Sequence, residues 1–172
     1  DIWIAKKDSM GLGATYANLG EVYRLKTDYP EALKYFLLSL RIDEALQYEI
    51  GIAYAYNYLG ATYQELGDYT KALENFQAAL EIRLRLGLDA GIAAGYNNIG
   101  TIYADEGKFA EALENYKASL AIKEKIDDRY GMANTYINIG EVYHKQGDQQ
   151  EAMKYFSLAL KLQEDLEDQE GM

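Results

Sequence analysis

Gly20, Gly60, Gly100 and Gly140 lie 40 residues apart, and each is followed three residues later by a tyrosine: Tyr23, Tyr63, Tyr103 and Tyr143. A second series, Gly11, Gly51, Gly91, Gly131 and Gly171, keeps the same interval, with no insertion or deletion between copies. "AYNYLGATYQELGDYTKALENFQAALEIRLR" at 55–85 is accordingly answered by "GYNNIGTIYADEGKFAEALENYKASLAIKEK" at 95–125. An unbroken period of this size predicts a repeat array in which each unit buries its apolar face against its neighbours.

Each copy contains two helical stripes. In the third copy Ile92, Tyr96, Ile99 and Tyr103 recur at steps of four and three, the spacing of one buried helix face. Gly107 stops that helix, because glycine accepts the left-handed conformation that ends one. A second helix follows with Ala112, Leu113, Tyr116, Leu120 and Ile122 on its buried side. Asp68 and Asp148 stand where N-caps are needed. In the first copy Thr27 replaces the stop glycine and Pro30 enters the first turn, where proline is tolerated. Junctions such as "GLD" at 87–89 and "DDR" at 127–129 separate the copies. The fold class expected is all-α, built of antiparallel helix pairs.

A glycine inside a helix costs about 1 kcal/mol relative to alanine, so the repeated Gly20, Gly60, Gly100 and Gly140 need a compensating contact. The expectation is a close helix crossing, with Ala72 and Ala79 facing Gly60. A phosphate-cradling loop would need a preceding strand and a following lysine, and neither is there.

The order Tyr56, Leu59, Gly60, Tyr63, Gly67, Ala72, Phe76, Ala79 resembles the tetratricopeptide repeat. So do Tyr96, Ile99, Gly100, Tyr103, Gly107, Ala112, Tyr116, Ser119 and their counterparts from Tyr16 and Tyr136 onward. The 40-residue unit is longer than the usual repeat and lacks the closing proline. In this it resembles the arrays of kinesin light chain and of bacterial signalling proteins. The resemblance implies a right-handed superhelical solenoid whose first helices line a concave groove. On the 40-residue grid, residues 1–9 are the tail of a preceding repeat, and repeats 1 to 4 occupy 10–49, 50–89, 90–129 and 130–169. Residues 170–172 begin a following repeat, so the chain is expected to be a fragment of a larger protein.

Composition limits the chemistry. A net charge of −11, from 17 Lys and Arg against 28 Asp and Glu, disfavours nucleic acid and anionic membranes as partners. No cysteine is present and His144 is the only histidine, so thiolate chemistry and a histidine-pair metal site are excluded. No set of catalytic roles can be filled from what remains. The expectation is a non-enzyme with no cofactor and no metal, cytoplasmic, binding a protein or peptide.

In the 40-residue relatives an asparagine before the leucine–glycine pair commonly grips a bound peptide backbone. The matching positions here are Asn18, Tyr58, Asn98 and Asn138, with Asn57 and Asn97 adjacent. An amide donates and accepts at once, which suits a peptide unit whatever its side chain. The same amides could equally bond a neighbouring repeat and fix the stack. Groove candidates one turn on are Glu21, Arg24, Gln64, Glu65, Thr101, Asp105, Glu141, His144 and Lys145. The basic clamp of chaperone-binding tetratricopeptide domains is missing, because Ala17 and Glu21 replace its lysine and asparagine. Two function classes follow: an interaction scaffold holding an extended or helical peptide, or a regulatory input segment of a larger signalling protein. Uncapped apolar ends, with Ile2, Trp3 and Ile4 at one and Leu158, Leu162 and Leu166 at the other, add an expectation of self-association.

Overall fold

A computed structural model describes the backbone of residues 2–170 and the side chains of residues 10–167. The described residues form eight α-helices and no strand. They fall into two compact units, residues 1–86 and 87–172. The first unit holds α1 (Ile2–Leu25), α2 (Tyr29–Ala45), α3 (Glu49–Glu65) and α4 (Tyr69–Leu86). The second holds α5 (Asp89–Asp105), α6 (Phe109–Lys125), α7 (Arg129–Gln146) and α8 (Gln149–Glu170). Within each unit every helix packs against its successor, returned by a turn of two or three residues, so each 40-residue copy contributes one antiparallel pair.

The turns show why the register is so regular. Gly67, Gly107 and Gly147 end first helices with φ between 76° and 85°, and Thr27 takes the same left-handed place at φ 60°. Asp68 Oδ1 accepts from the Lys71 N–H at 3.2 Å and Asp148 Oδ1 from Glu151 N–H at 3.1 Å, which makes both N-caps. α1 runs from Ile2 into the first copy without the kind of turn that separates the later copies.

The glycine at each helix crossing has an aromatic ring of the second helix as its nearest neighbour, with the Ala112 carbonyl also close at Gly100. A Cβ on Gly60 would lie 2.8 Å from the Phe76 ring, and one on Gly20 only 2.6 Å from Phe36. On Gly100 and Gly140 it would meet Tyr116 at 2.9 Å and Phe156 at 2.7 Å. Ala72 and Ala79 are buried, but the aromatic ring between them occupies the space that the missing Cβ leaves. Phe36, Phe76 and Tyr116 are at most 2% exposed, and each contributes about 1.5–3 kcal/mol by burial. Leu40, Ala55 and Leu59 join Phe36 in the core of the first unit, and Ile139 and Val142 join Tyr116 in that of the second.

The second-helix stripe differs from expectation in one respect. Leu113, Leu120 and Ile122 are only half-buried, whereas Ser119 and Lys123 are buried beside Ala112 and Tyr116. α8 also departs from expectation: Leu166 turns inward and is 8% exposed, and Leu162 is half-buried. Its apolar exposure comes from Met153, Phe156 and Leu160, with Leu158 beside them. The side chains of Ile2, Trp3 and Ile4, and residues Gly171 and Met172, lie outside the described residues.

Two stability changes of opposite sign follow. Thr27→Gly should stabilise the chain by about 1 kcal/mol, because a β-branched residue at positive φ pays roughly 1–2 kcal/mol that glycine does not, less glycine's greater freedom when unfolded. Gly100→Ala should destabilise by about 1–2 kcal/mol, because overpacking against the Tyr116 ring outweighs the gain in helix propensity. Denaturant titration of the two single variants checks both signs.

Candidate functional site

The candidate residues sit on the first helix of each pair, and they are placed differently in the two units. In the first unit α1 and α3 flank a cavity of about 370 Å³ that both Asn18 and Tyr58 line. Asn18 is exposed. Tyr58 lies flat on Phe36, with ring centroids 5.0 Å apart and planes 3° from parallel, so its position is fixed by the core beneath. Asn57 accepts a hydrogen bond from Arg83 Nη1 at 3.3 Å. Gln64 is half-buried on α3.

Glu21, Arg24 and Glu65 are brought together into one ionic cluster across α1 and α3. Arg24 donates to both Glu21 oxygens, at 2.8 and 2.6 Å, and its third branch bonds Glu65. The Arg24 hydrogen bond holds the Glu21 carboxyl below its usual value, and its bond to Glu21 raises the guanidinium in turn. The cluster is partly solvated, so it orients two helices more than it stabilises them.

In the second unit the asparagines bond one another. Asn97 Oδ1 on α5 accepts from Asn138 Nδ2 on α7 at 3.2 Å and from the Thr135 hydroxyl at 3.4 Å. Asn98 is half-buried beside them on α5. The Thr101 hydroxyl donates to the Asn97 carbonyl one turn back on α5 at 3.0 Å and accepts from the Tyr116 hydroxyl of α6 at 3.1 Å. Tyr116 is the only tyrosine where the other copies have Phe36, Phe76 and Phe156, and Thr101 gives its buried hydroxyl a partner. Asp105, Glu141 and Lys145 are exposed, and exposed His144 pairs through Nδ1 with the Gln149 side chain at 3.1 Å.

A series at the end of the second-helix stripe escaped the sequence reading: Asp43, Arg83 and Lys123, equivalent positions in three copies and all at most 7% exposed. Lys123 Nζ donates to Thr135 Oγ1 at 2.8 Å and to the Gly131 carbonyl at 3.1 Å, so the buried ammonium and threonine connect to the half-buried pair of asparagines. Burial lowers the Lys123 and Arg83 values and raises that of Asp43, against a counteracting hydrogen bond from Ser39. The guanidinium of Arg83 sits 5.9 Å from the centre of the Tyr54 ring. The signal was available, since 36, 39 or 40, and 43 continue the buried stripe, but a charged residue there reads as its end. Among the described residues no group of three or more histidines and carboxylates is placed to hold a metal. No described helix is long and apolar enough to cross a membrane.

Paired helices repeated at a fixed interval, with polar amides and rings along the first helix of each pair, define a helical-repeat protein. The tetratricopeptide repeat family model matches residues 51–125 and 91–165, and a second model of the same repeat matches 15–47. The chain belongs to the tetratricopeptide repeat family. No curated protein sequence matches it. Among solved structures it is similar to BtubC (BKLC) from P. vanneervenii, at 26% identity and a TM-score of 0.81 over 91% of this chain and 65% of that one. Aspartyl phosphate phosphatase F from Bacillus subtilis superposes with a TM-score of 0.86 at 17% identity, covering 92% of this chain and 42% of that one. MamA gives 0.67 at 26% identity, covering 91% and 81%. The chain thus spans less than two thirds of the length of the first two proteins.

Lys123 offers a test of the buried network. Its folded value lies below the ordinary lysine value, so the folded state binds the proton less tightly than the unfolded chain does. Stability therefore rises with pH as the solution climbs through the folded value toward the ordinary one. In paired denaturation curves the wild type should gain on Lys123→Met as pH rises in that alkaline range, the other titrating groups cancelling in the difference.

Proposed function

We propose that the chain is a protein-interaction scaffold that holds an extended or helical peptide against the first helices of its repeats. The observation that carries this is the asparagine placement: Asn97 and Asn138 sit within hydrogen-bond reach of each other across α5 and α7, with Asn98 adjacent. The Asn97–Asn138 bond uses Asn97 Oδ1 and Asn138 Nδ2, so Asn97 Nδ2 and Asn138 Oδ1 are the donor and acceptor that a peptide unit would meet. In the first unit, taken by itself, the cavity beside Asn18 and Tyr58 has room for a side chain. Family membership supports the same reading, because repeat arrays present extended faces to other proteins. The mixed but mainly acidic residues Glu21, Asp105 and Glu141 favour a partner that is not itself strongly acidic.

The alternative reading, a regulatory input segment, fits the same binding face. It is supported by the fold shared with aspartyl phosphate phosphatase F, of which this chain spans 42%. In that case occupation of the face would alter the activity of an attached domain.

The test is a displayed peptide library panned against the chain, followed by the Asn98→Ala, Asn138→Ala double variant. Binding of the selected peptides should fall at least about tenfold, which is roughly 1.4 kcal/mol, while the melting temperature stays within a few degrees. A sharp fall in melting temperature with unchanged peptide affinity would assign both amides to the helix stack.

A further inference from the structure

The cavity of the first unit has an acid at its foot and aromatic rings around it. Asp43 is 6% exposed and lines the cavity together with Tyr48, Tyr54 and Tyr58. Its carboxylate is seated between two backbones. A Cβ on Gly51 of α3 would stand 2.6 Å from Oδ2, and one on Gly13 of α1 would stand 3.3 Å from Oδ1. Both positions are glycine, and the carboxylate uses the room. Among the described residues no ion pair includes Asp43, and its side-chain partner is the Ser39 hydroxyl.

The equivalent place in the second unit is filled differently. There Lys123 stands for Asp43, and its ammonium bonds the carbonyl of Gly131, the counterpart of Gly51, and Thr135, the counterpart of Ala55. One copy therefore carries a built-in cation at this level, and the other carries an anion next to about 370 Å³ of open space. That volume is at the lower end of small-ligand pockets, which run roughly 300–1,000 Å³. Burying a carboxylate without a cation is costly, and a cation that reached it would relieve the cost. The net charge of −11 draws cations to the surface generally.

We infer that this cavity is a binding site for an alkylammonium or guanidinium group, with Asp43 as its counter-ion and Tyr48, Tyr54 and Tyr58 as its walls. A lysine or arginine side chain of a bound peptide brings such a group, and so does a free diamine. The peptide source rests on the scaffold reading above. The asparagines that test that reading are in the second unit, so either can fail without the other.

The experiment is an NMR titration of the whole chain, following the Tyr48, Tyr54 and Tyr58 ring signals. The probes are blocked Ala-Xaa-Ala tripeptides with lysine, arginine or norleucine at the centre, together with putrescine. Lysine and arginine peptides should saturate the ring shifts, and norleucine should bind about tenfold more weakly or worse. Asp43→Asn should erase that preference with an unchanged or higher melting temperature. Ala14→Phe, which fills the cavity from the exposed side of α1, should abolish binding while leaving Asp43 in place. The exposed-neighbour variant Glu44→Gln should change nothing. Saturation by the cationic peptides alone identifies the source as a peptide; saturation by putrescine alone identifies it as a free amine. Equal binding of lysine and norleucine peptides, a preference that survives in Asp43→Asn, or saturation by none of the four probes overturns the inference.

Discussion

Every helix pair depends on one contact, an aromatic ring pressed onto a glycine. Phe36 covers Gly20, Phe76 covers Gly60, Tyr116 covers Gly100 and Phe156 covers Gly140. The ring lets two backbones approach while filling the space between them, so a helix-weakening residue becomes the condition for tight packing. The tyrosine three residues after each glycine, on the same helix, meets other side chains of the second helix: Tyr23 stacks on Tyr35 and Tyr143 on Tyr155, while Lys71 and Lys108 lie over Tyr63 and Tyr103. Once the ring is seated, the rest of the second helix has little freedom in register, and the positions four, three and four residues apart along it are the ones that meet the neighbouring first helix.

That rigidity explains which features could be read from the sequence. Helix ends were legible because their causes are local: Gly67, Gly107 and Gly147 adopt the left-handed turn, and Asp68 and Asp148 cap the next helix. The pairing of helices followed from the period itself. Spacing alone places Ala72, Phe76 and Ala79 on one face toward Gly60, and only three dimensions show that the Phe76 ring makes the nearest contact. Leu166 was misjudged for a similar reason, since a helix stripe does not reveal which of its leucines turns inward.

The candidate site was legible to a lesser degree. Glu21, Arg24 and Glu65 were placed in the groove by the family's pattern, but their union in one ionic cluster joins helices 41 residues apart, a distance that no local pattern encodes. Thr101 was read as a groove residue, yet it also answers the extra hydroxyl of Tyr116 on the neighbouring helix. Two departures from the repeat, one on each helix, make a single compensated pair. Their connection is invisible until the helices are packed.

Asp43, Arg83 and Lys123 show the same principle on a larger scale. The repeat fixes where this position lies, at the buried end of the second-helix stripe, and leaves its charge free to change from copy to copy. Lys123 is balanced by acceptors of its own unit, Thr135 and the Gly131 carbonyl, and Arg83 by the Asn57 amide and the Tyr54 ring. Among the described residues, the side-chain partner of Asp43 is the Ser39 hydroxyl, and it borders open space. Because the helix bounds recur in step with the 40-residue period, the difference between a polar network and an acidic cavity comes down to a few side chains. Individuality in such an array is thus concentrated where the scaffold is most uniform, since only there can one substitution change the chemistry of a site without moving the helices around it.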